Sequence, residues 1–230
     1  MNLPVGTHSA RPFPFHSNMG NVPWWLVEIA YVRESKVCEA LGEPQLFTLV
    51  QLEAQGIDPL WLLDVLAGGV GNVHAEAWCA LRWSGGGLFH RPLAIEGIPG
   101  VQREDPIVEL ARLMRGDARP FPTLGDRDTA GNGIAPGTIP RWLAELLHEQ
   151  WSRVMRCKDE FVPPLERLER EGGFPPMFLL DVPAGGDGRG MVWQSVQRSI
   201  AGKLQKRGGL DDRGAIQVVR TLPRRLPEIK

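Results

Sequence analysis

The sequence predicts a mainly α-helical protein with minor β structure, built from two tandem copies of a small three-helix unit. The first observation is an ordered recurrence at a spacing near 117 residues. Residues 59–69 (PLWLLDVLAGG) return as residues 176–186 (PMFLLDVPAGG), identical at eight of eleven positions. Residues 10–14 (ARPFP) return as 118–122, and residues 20–26 (GNVPWWL) as 137–143 (GTIPRWL). The second observation is that helix-start signals and helical apolar spacing recur with them, which is typical of a duplicated structural unit.

Composition places the chain among ordinary soluble globular proteins. Its 230 residues are 43% hydrophobic and 23% charged, which suits two domains of about 110 residues, each able to bury a core. Three cysteines without a C-x-x-C spacing argue against a disulfide framework or a zinc site, so we expect no metal and no cofactor. No apolar run is long enough to cross a membrane and no signal-peptide pattern is present, which predicts a cytoplasmic protein with no membrane partner.

Each copy is expected to open with a Pro-rich approach and a helix. Asn21 and Thr138 are residue types that cap helix N-termini, and Pro23 and Pro140 suit the first helical turn. Trp25, with the apolar residues that follow at helical spacing, predicts an amphipathic helix whose tryptophan faces the core.

Further elements follow in the same order in both copies. A second helix is expected to end at Gly56 in copy one and at residues 172–173 in copy two. The apolar run Leu-Leu-Asp-Val after it is compatible with either helix or strand, and its Asp-Pro start in copy one favours helix. A third helix is predicted over residues 74–83 and 192–207, and a β-prone piece over 93–98 and 216–222.

These elements divide the chain into five segments. We expect a tail over residues 1–10, a first unit over 11–105, and a second unit over 139–222 with its Pro-rich lead-in at 118–122. Residues 106–138 are expected to hold an extra amphipathic helix and a Gly/Pro-rich linker, and 223–230 a basic tail.

Part of the sequence resembles small uncharacterised helical proteins of phages and other mobile elements. The shared pattern is Val-Pro-x-Trp-Leu-x-Glu followed by Leu-Glu-x-Leu-x-x-x-Gly-Gly-Phe, present here as residues 139–145 (IPRWLAE) and 165–174 (LERLEREGGF). Copy one matches the opening at residues 22–28 (VPWWLVE) and departs at the Gly-Gly-Phe. The resemblance covers about fifty residues per copy. It implies a mobile-element setting and no particular activity.

Three short motifs have both a functional and a structural interpretation. Residues 52–59 have the spacing of a helix-turn-helix turn, but the helix after it is apolar and lacks the side chains that contact bases. His74 and Glu76 form half of a zinc-deaminase motif whose Pro-Cys-x-x-Cys half is missing. The glycine-rich segments 68–71 and 185–190 are compatible with a phosphate loop, although a plain connection between helices is the default interpretation.

Charge divides unevenly along the chain. Residues 1–117 carry a net charge of −5 and residues 118–230 one of +4, within a total of −1. The basic excess makes the second copy a candidate nucleic-acid surface, because phosphate contacts need clustered Arg and Lys. The candidate residues are Arg189, Arg198, Lys203, Lys206, Arg207, Arg220, Arg224 and Arg225. Lysines and arginines are also common at helix C-termini, which is the structural interpretation.

Asp64 and Asp181 are acids repeated inside an apolar run. A buried carboxylate is costly unless it is paired or hydrogen-bonded, and Arg91 and Arg213 are repeated too. We therefore predict structural pairs of Asp64 with Arg91 and of Asp181 with Arg213, and no catalytic residue. The expected function is a non-catalytic protein-interaction module with a protein partner. Nucleic-acid binding through the second copy is the alternative, and an enzyme ranks third.

Overall fold

The computed structural model describes residues 9–42, 47–71, 74–83, 106–127, 133–156 and 158–206. The fold is mainly α-helical with small two-stranded sheets, as the sequence predicts. The strands are β1 (Pro12–Pro14), β2 (Asn21–Pro23), β3 (Pro120–Thr123), β4 (Asp126–Arg127), β5 (Gly133–Ile134) and β6 (Gly137–Pro140). The helices are α1 (Trp24–Leu41), α2 (Leu49–Gln55), α3 (Pro59–Leu66), α4 (Glu76–Trp83), α5 (Pro106–Met114), α6 (Arg141–Arg156), α7 (Leu165–Arg170), α8 (Pro176–Asp181) and α9 (Met191–Lys206).

Each half opens with an antiparallel hairpin, which the sequence did not predict. β1 pairs with β2, placing Phe13 opposite Val22, and β3 pairs with β6, placing Phe121 opposite Ile139. All four side chains are buried, so burial of a short apolar stripe outweighs the low strand propensity of the flanking prolines.

The expected helix caps are wrong because of these hairpins. Asn21 and Thr138 lie in strands β2 and β6, and the helices begin later, at Trp24 and Arg141. Pro23 occupies the N-cap position of α1 and provides no side-chain hydrogen bond.

The apolar runs at 59–66 and 176–181 are helical, in agreement with the favoured interpretation. Asp58 Oδ1 accepts a hydrogen bond of 2.7 Å from the backbone N–H of Leu60, and Pro59 fills the first helical turn. Because these runs are helices, the described parts of the two halves share four helices (α1–α4 and α6–α9), and not the expected three. The β-prone pieces at 93–98 and 216–222 lie outside the described residues.

The extra helix of the first half is present as α5, but the segment after it is more ordered than a linker. β3, β4, β5 and β6 all lie within residues 120–140. Phe121, Thr123 and Ile134 in these strands are buried, so much of the Gly/Pro-rich stretch belongs to the packed structure.

Both halves contribute to one large core. Trp25, Trp78 and Trp142 are fully buried in the same cluster. β2 lies against β6, α9 against α1, and α5 against both α4 and α6. The two halves therefore meet along an extensive apolar contact.

Candidate functional site

Asp64, at the end of α3, is a buried carboxylate that binds backbone amides. Its Oδ2 accepts a hydrogen bond of 2.9 Å from the N–H of Gly71, and its Oδ1 accepts one of 2.8 Å from the N–H of Ala77. Ala77 lies in the first turn of α4, where backbone N–H groups lack partners within the helix. The carboxylate therefore fixes the glycine loop and caps α4 at once.

Asp181, at the end of α8, makes the same two kinds of contact. Its Oδ2 accepts a hydrogen bond of 2.9 Å from the N–H of Gly188, and its Oδ1 accepts one of 2.9 Å from the N–H of Trp193 in α9. The residue is fully buried. Charge-assisted bonds from amides are strong enough to offset much of the cost of burying a carboxylate.

A glycine five residues after each aspartate makes this arrangement fit. The N–H of Gly69 donates to the backbone carbonyl of Asp64 and that of Gly186 to the carbonyl of Asp181, each across 2.8 Å. A Cβ at either glycine would collide with the aspartate carboxylate. The repeated Asp-Val-x-Ala-Gly-Gly is therefore explained by a close approach between the loop backbone and a buried charge.

These contacts change how two of the sequence hypotheses are understood. Arg91 and Arg213 lie outside the described residues, so the predicted Asp–Arg pairs remain predictions. A phosphate in either glycine loop would need backbone N–H groups as donors. The N–H of Gly71 donates to Asp64 instead, and the N–H of Gly188 donates to Asp181. Gly71 and Gly188 have φ of +73° and +89°, which supports the interpretation of these loops as helix connections.

The nucleic-acid candidates are described only in part. Arg189 is exposed and lies 3.4 Å from Glu160 and 3.8 Å from Asp187. Arg198 is exposed on α9, and its Nε donates to the Gln194 carbonyl. Lys203 and Lys206 lie in the last turns of α9. Arg207, Arg220, Arg224 and Arg225 lie outside the described residues.

Carboxylates surround many of the described cations of the second half. Lys158 Nζ donates to Asp187 Oδ2 across 2.6 Å, and Arg141 Nη1 lies 2.8 Å from Glu169. Burial raises the pKa of Asp187, but the hydrogen bonds from Lys158 and from the N–H of Arg189 outweigh it, so the pKa is lowered. These cations are thus partly neutralised within the fold.

The half-motif of a zinc deaminase is not assembled into a metal site within the described ranges. His74 and Glu76 are exposed, whereas Cys79 is buried and its Sγ contacts the His74 carbonyl at 3.6 Å. Among the residues that the structure describes, no group of three or more His, Cys, Asp or Glu side chains is placed to hold a metal ion.

A groove of about 550 Å³ runs between the hairpins of the two halves, and we call it the hairpin groove. It is lined by Ala10, Pro12, Val22, Pro122, Thr123, Leu124, Gly125, Pro136, Gly137, Thr138 and Gly172. None of these residues is ionisable. Leu124 is 40% exposed at the groove, and the backbone around it is already paired with Phe174. The groove therefore offers apolar side chains and not a free strand edge.

No family model, curated protein or solved structure matches this chain. Interpretation of the hairpin groove therefore depends on its own residues. Separately, none of the described helices combines the length and the apolar composition needed to cross a lipid bilayer.

Sequence reasoning missed several buried polar residues, and two of them, Arg33 and Gln150, occupy corresponding positions of α1 and α6. Arg33 Nη1 donates to the Leu66 carbonyl and Gln150 Nε2 donates to the Val182 carbonyl, each across 2.8 Å. They lie 117 residues apart, at the spacing of the recurrence, and this common position was the available signal. Polar residues within a long amphipathic helix usually face solvent, so the sequence places Arg33 on the outer face of α1, and its burial is a correction.

Proposed function

We propose that this protein is a non-catalytic protein-interaction module, an adaptor, inhibitor or assembly factor of a phage or other mobile element. We further propose that it consists of two tandem copies of one helical unit, and that the hairpin groove between the copies takes the partner. The observation that carries the proposal is the composition of this groove, which is apolar, open and free of ionisable side chains.

Reciprocal contacts support the tandem origin. A Cβ at Gly20 would lie 2.8 Å from Pro140 Cγ, and a Cβ at Gly137 would lie 3.2 Å from Pro23 Cγ. Gly20 and Gly137 are 117 residues apart, as are Pro23 and Pro140. Two copies that meet through the same residues in exchanged roles have the geometry of an isologous, two-fold contact.

The chemistry of the hairpin groove selects one kind of occupant. Its walls are proline, glycine and aliphatic side chains, so the favourable contribution is burial of apolar surface. Because the groove has no charge, it favours an uncharged segment over a phosphate or an acidic peptide. We therefore assign it to an extended apolar segment of a partner protein, a few residues long, held by side-chain contacts.

The same composition argues against chemistry in this groove. General acid–base and nucleophilic catalysis need a titratable or nucleophilic group, and the polar side chains here are the hydroxyls of Thr123 and Thr138. Thr123 Oγ1 already accepts a hydrogen bond of 3.0 Å from the N–H of Gly137. This hydroxyl holds β3 to β6 and so has a structural role.

Site-specific cross-linking tests the proposal. A photoreactive phenylalanine analogue at Leu124, in the protein expressed in its native host, should yield a discrete cross-linked partner. Thr138→Arg places a long charged side chain at the exposed wall of the groove and should abolish that product. The matched control carries the analogue at Val50, which is 71% exposed on α2 and does not line the groove, and it should not capture the same partner.

Two results would overturn the proposal. One is capture at Leu124 that is unchanged by Thr138→Arg in a protein whose circular dichroism matches the wild type. The other is a Leu124 product that contains nucleic acid and disappears at high salt, which would favour the regulatory alternative through the second copy.

A further inference from the structure

Arg33, in the middle of α1, is a buried arginine with an incomplete set of partners. Its residue is 4% exposed, and its Nη1 donates to the Leu66 carbonyl across 2.8 Å. The guanidinium lies over the ring of Trp193 in α9, 4.3 Å from the ring centroid. Its Nε and Nη2 are also buried, and among the described residues they have no hydrogen-bond acceptor.

The positive charge at this position is not compensated by a described anion. Within the ranges that the structure describes, no carboxylate forms an ion pair with Arg33, although exposed arginines such as Arg119 and Arg167 have such partners. Burial lowers the pKa of Arg33 to about 9, and no neighbouring charge opposes that effect. A buried charge without a counterion is strongly unfavourable, so its presence calls for a specific reason.

The two unpartnered donors have a definite geometry. Nε–H and the nearer N–H of Nη2 point along one edge of the planar guanidinium, roughly parallel to each other. This edge is the fork that binds two oxygens of a carboxylate or a phosphate at once. The donor used within the fold, Nη1, is on the other side and stays bonded to the Leu66 carbonyl.

The residue that lies beside this fork in the loop after α3 is a glycine, Gly68. A Cβ at Gly68 would lie 3.4 Å from Arg33 Nη2 and 2.9 Å from Val196 Cγ1, so the loop passes this close because position 68 is glycine. Residues 68–71 are partly exposed, whereas Arg33 itself is buried. Position 68 therefore places no side chain of its own beside the fork.

We propose that Arg33 is the binding residue of an oxyanion site between α1, α9 and the loop of residues 68–71. Its ligand is a carboxylate or phosphate group that accepts hydrogen bonds from Nε and Nη2. The site is separate from the hairpin groove and does not depend on the function proposed for that groove. Trp193 covers the guanidinium face, which leaves the edge for the ligand.

The second half of the chain indicates which substitution of Arg33 is suitable for a test. Gln150 occupies the corresponding position of α6 and, like Arg33, donates to a carbonyl at the end of the short buried helix, here Val182 of the α8 C-cap. Arg33→Gln therefore retains the donor that the fold uses and removes the fork. Arg198→Gln, on the exposed face of α9, is the control for loss of a positive charge elsewhere.

Thermal unfolding at constant ionic strength tests the site, with inorganic phosphate and acetate titrated separately from 0 to about 50 mM. We expect the Tm of wild type and of Arg198→Gln to rise saturably with at least one anion, by about 4 °C or more. Arg33→Gln should show only the small, unsaturable rise caused by general salt effects. Phosphate acting alone indicates a phosphate ligand, and acetate acting equally well indicates a carboxylate.

A second measurement keeps the test independent of any variant's stability. The Nε–H resonance of Arg33 in the wild-type protein should shift saturably with the same anion, and Arg33→Lys, which lacks Nε–H, assigns that resonance. A Tm rise in Arg33→Gln equal to that of wild type would overturn the site. Absence of any saturable shift of the Nε–H resonance would overturn it as well.

Discussion

The carboxylate of Asp64 accepts a hydrogen bond from the backbone N–H of Gly71, seven residues later, and Asp181 accepts one from Gly188 at the same separation. In both cases the second carboxylate oxygen binds the N-terminus of the next long helix. One buried charge thus joins three successive pieces of chain.

Asp64→Asn and Asp181→Asn should each lower the free energy of unfolding by about 2–4 kcal/mol. The asparagine side chain carries no charge, and its NH₂ group would face backbone N–H groups that need a hydrogen-bond acceptor. Urea denaturation followed by tryptophan fluorescence measures the loss. Asp126→Asn, at an exposed aspartate, should change it by less than about 0.5 kcal/mol. A loss for one of the two buried aspartates and none for the other would contradict a common role.

Gly186→Ala should be more harmful than an ordinary glycine substitution, because the new methyl group would overlap the Asp181 carboxylate. We expect a loss of about 2–3 kcal/mol or more. Gly133→Ala is the matched control, since no atom of the described residues lies within 4 Å of a Cβ at that position. Equal unfolding midpoints in urea for the two variants would show that the loop relaxes freely.

Trp142→Phe should cost more stability than Trp25→Phe. Both indoles are fully buried at corresponding helix positions. Trp142 Nε1 donates to the Met19 carbonyl across 2.7 Å, whereas Trp25 Nε1 has no acceptor within the described part of the chain. The two variants lose similar packing, so the difference should be the hydrogen bond, about 1–3 kcal/mol by chemical denaturation. A larger loss for Trp25→Phe would contradict this interpretation.

Asp117 should add an acid-sensitive contribution to stability. The hydrogen bonds from the Arg119 side chain lower the pKa of Asp117 from 3.8 to about 2. A carboxyl group whose pKa is lower in the folded state stabilises the protein above pH 3.8, and the effect is lost as the pH falls through about 2. The Tm difference between wild type and Asp117→Asn should therefore be constant above about pH 5 and vanish near pH 2. High salt should reduce it, because Arg119 is exposed.

Local signals predicted much of the helical structure. The Asp58-Pro59 pair identified the start of α3, and Trp25 is buried in the core as its place in the helical pattern predicts. The hairpins were not predictable from local sequence. Phe13 and Phe121 become strand residues because they pair with Val22 and Ile139 and are buried by the rest of the fold. The charge of Asp181 was recognised as unusual, but its amide partners depend on how a glycine loop folds back.

The hairpin groove and the Arg33 site were beyond sequence reasoning for a related reason. Val22 and Thr138 meet in one groove although they are far apart in sequence, and Arg33 meets Trp193 across the two halves. Such proximity is a property of the three-dimensional packing. It leaves no pattern in a single sequence.

The bond between Trp142 and Met19 joins residues 123 positions apart, and this has a consequence for synthesis. At roughly 5–20 residues per second, a ribosome needs on the order of 6–25 s to add the intervening chain. During that interval the Met19 carbonyl and the Phe15 ring lack the contacts that Trp142 makes with them. The nascent N-terminal half must therefore wait, with part of its apolar surface uncovered, until α6 has left the exit tunnel.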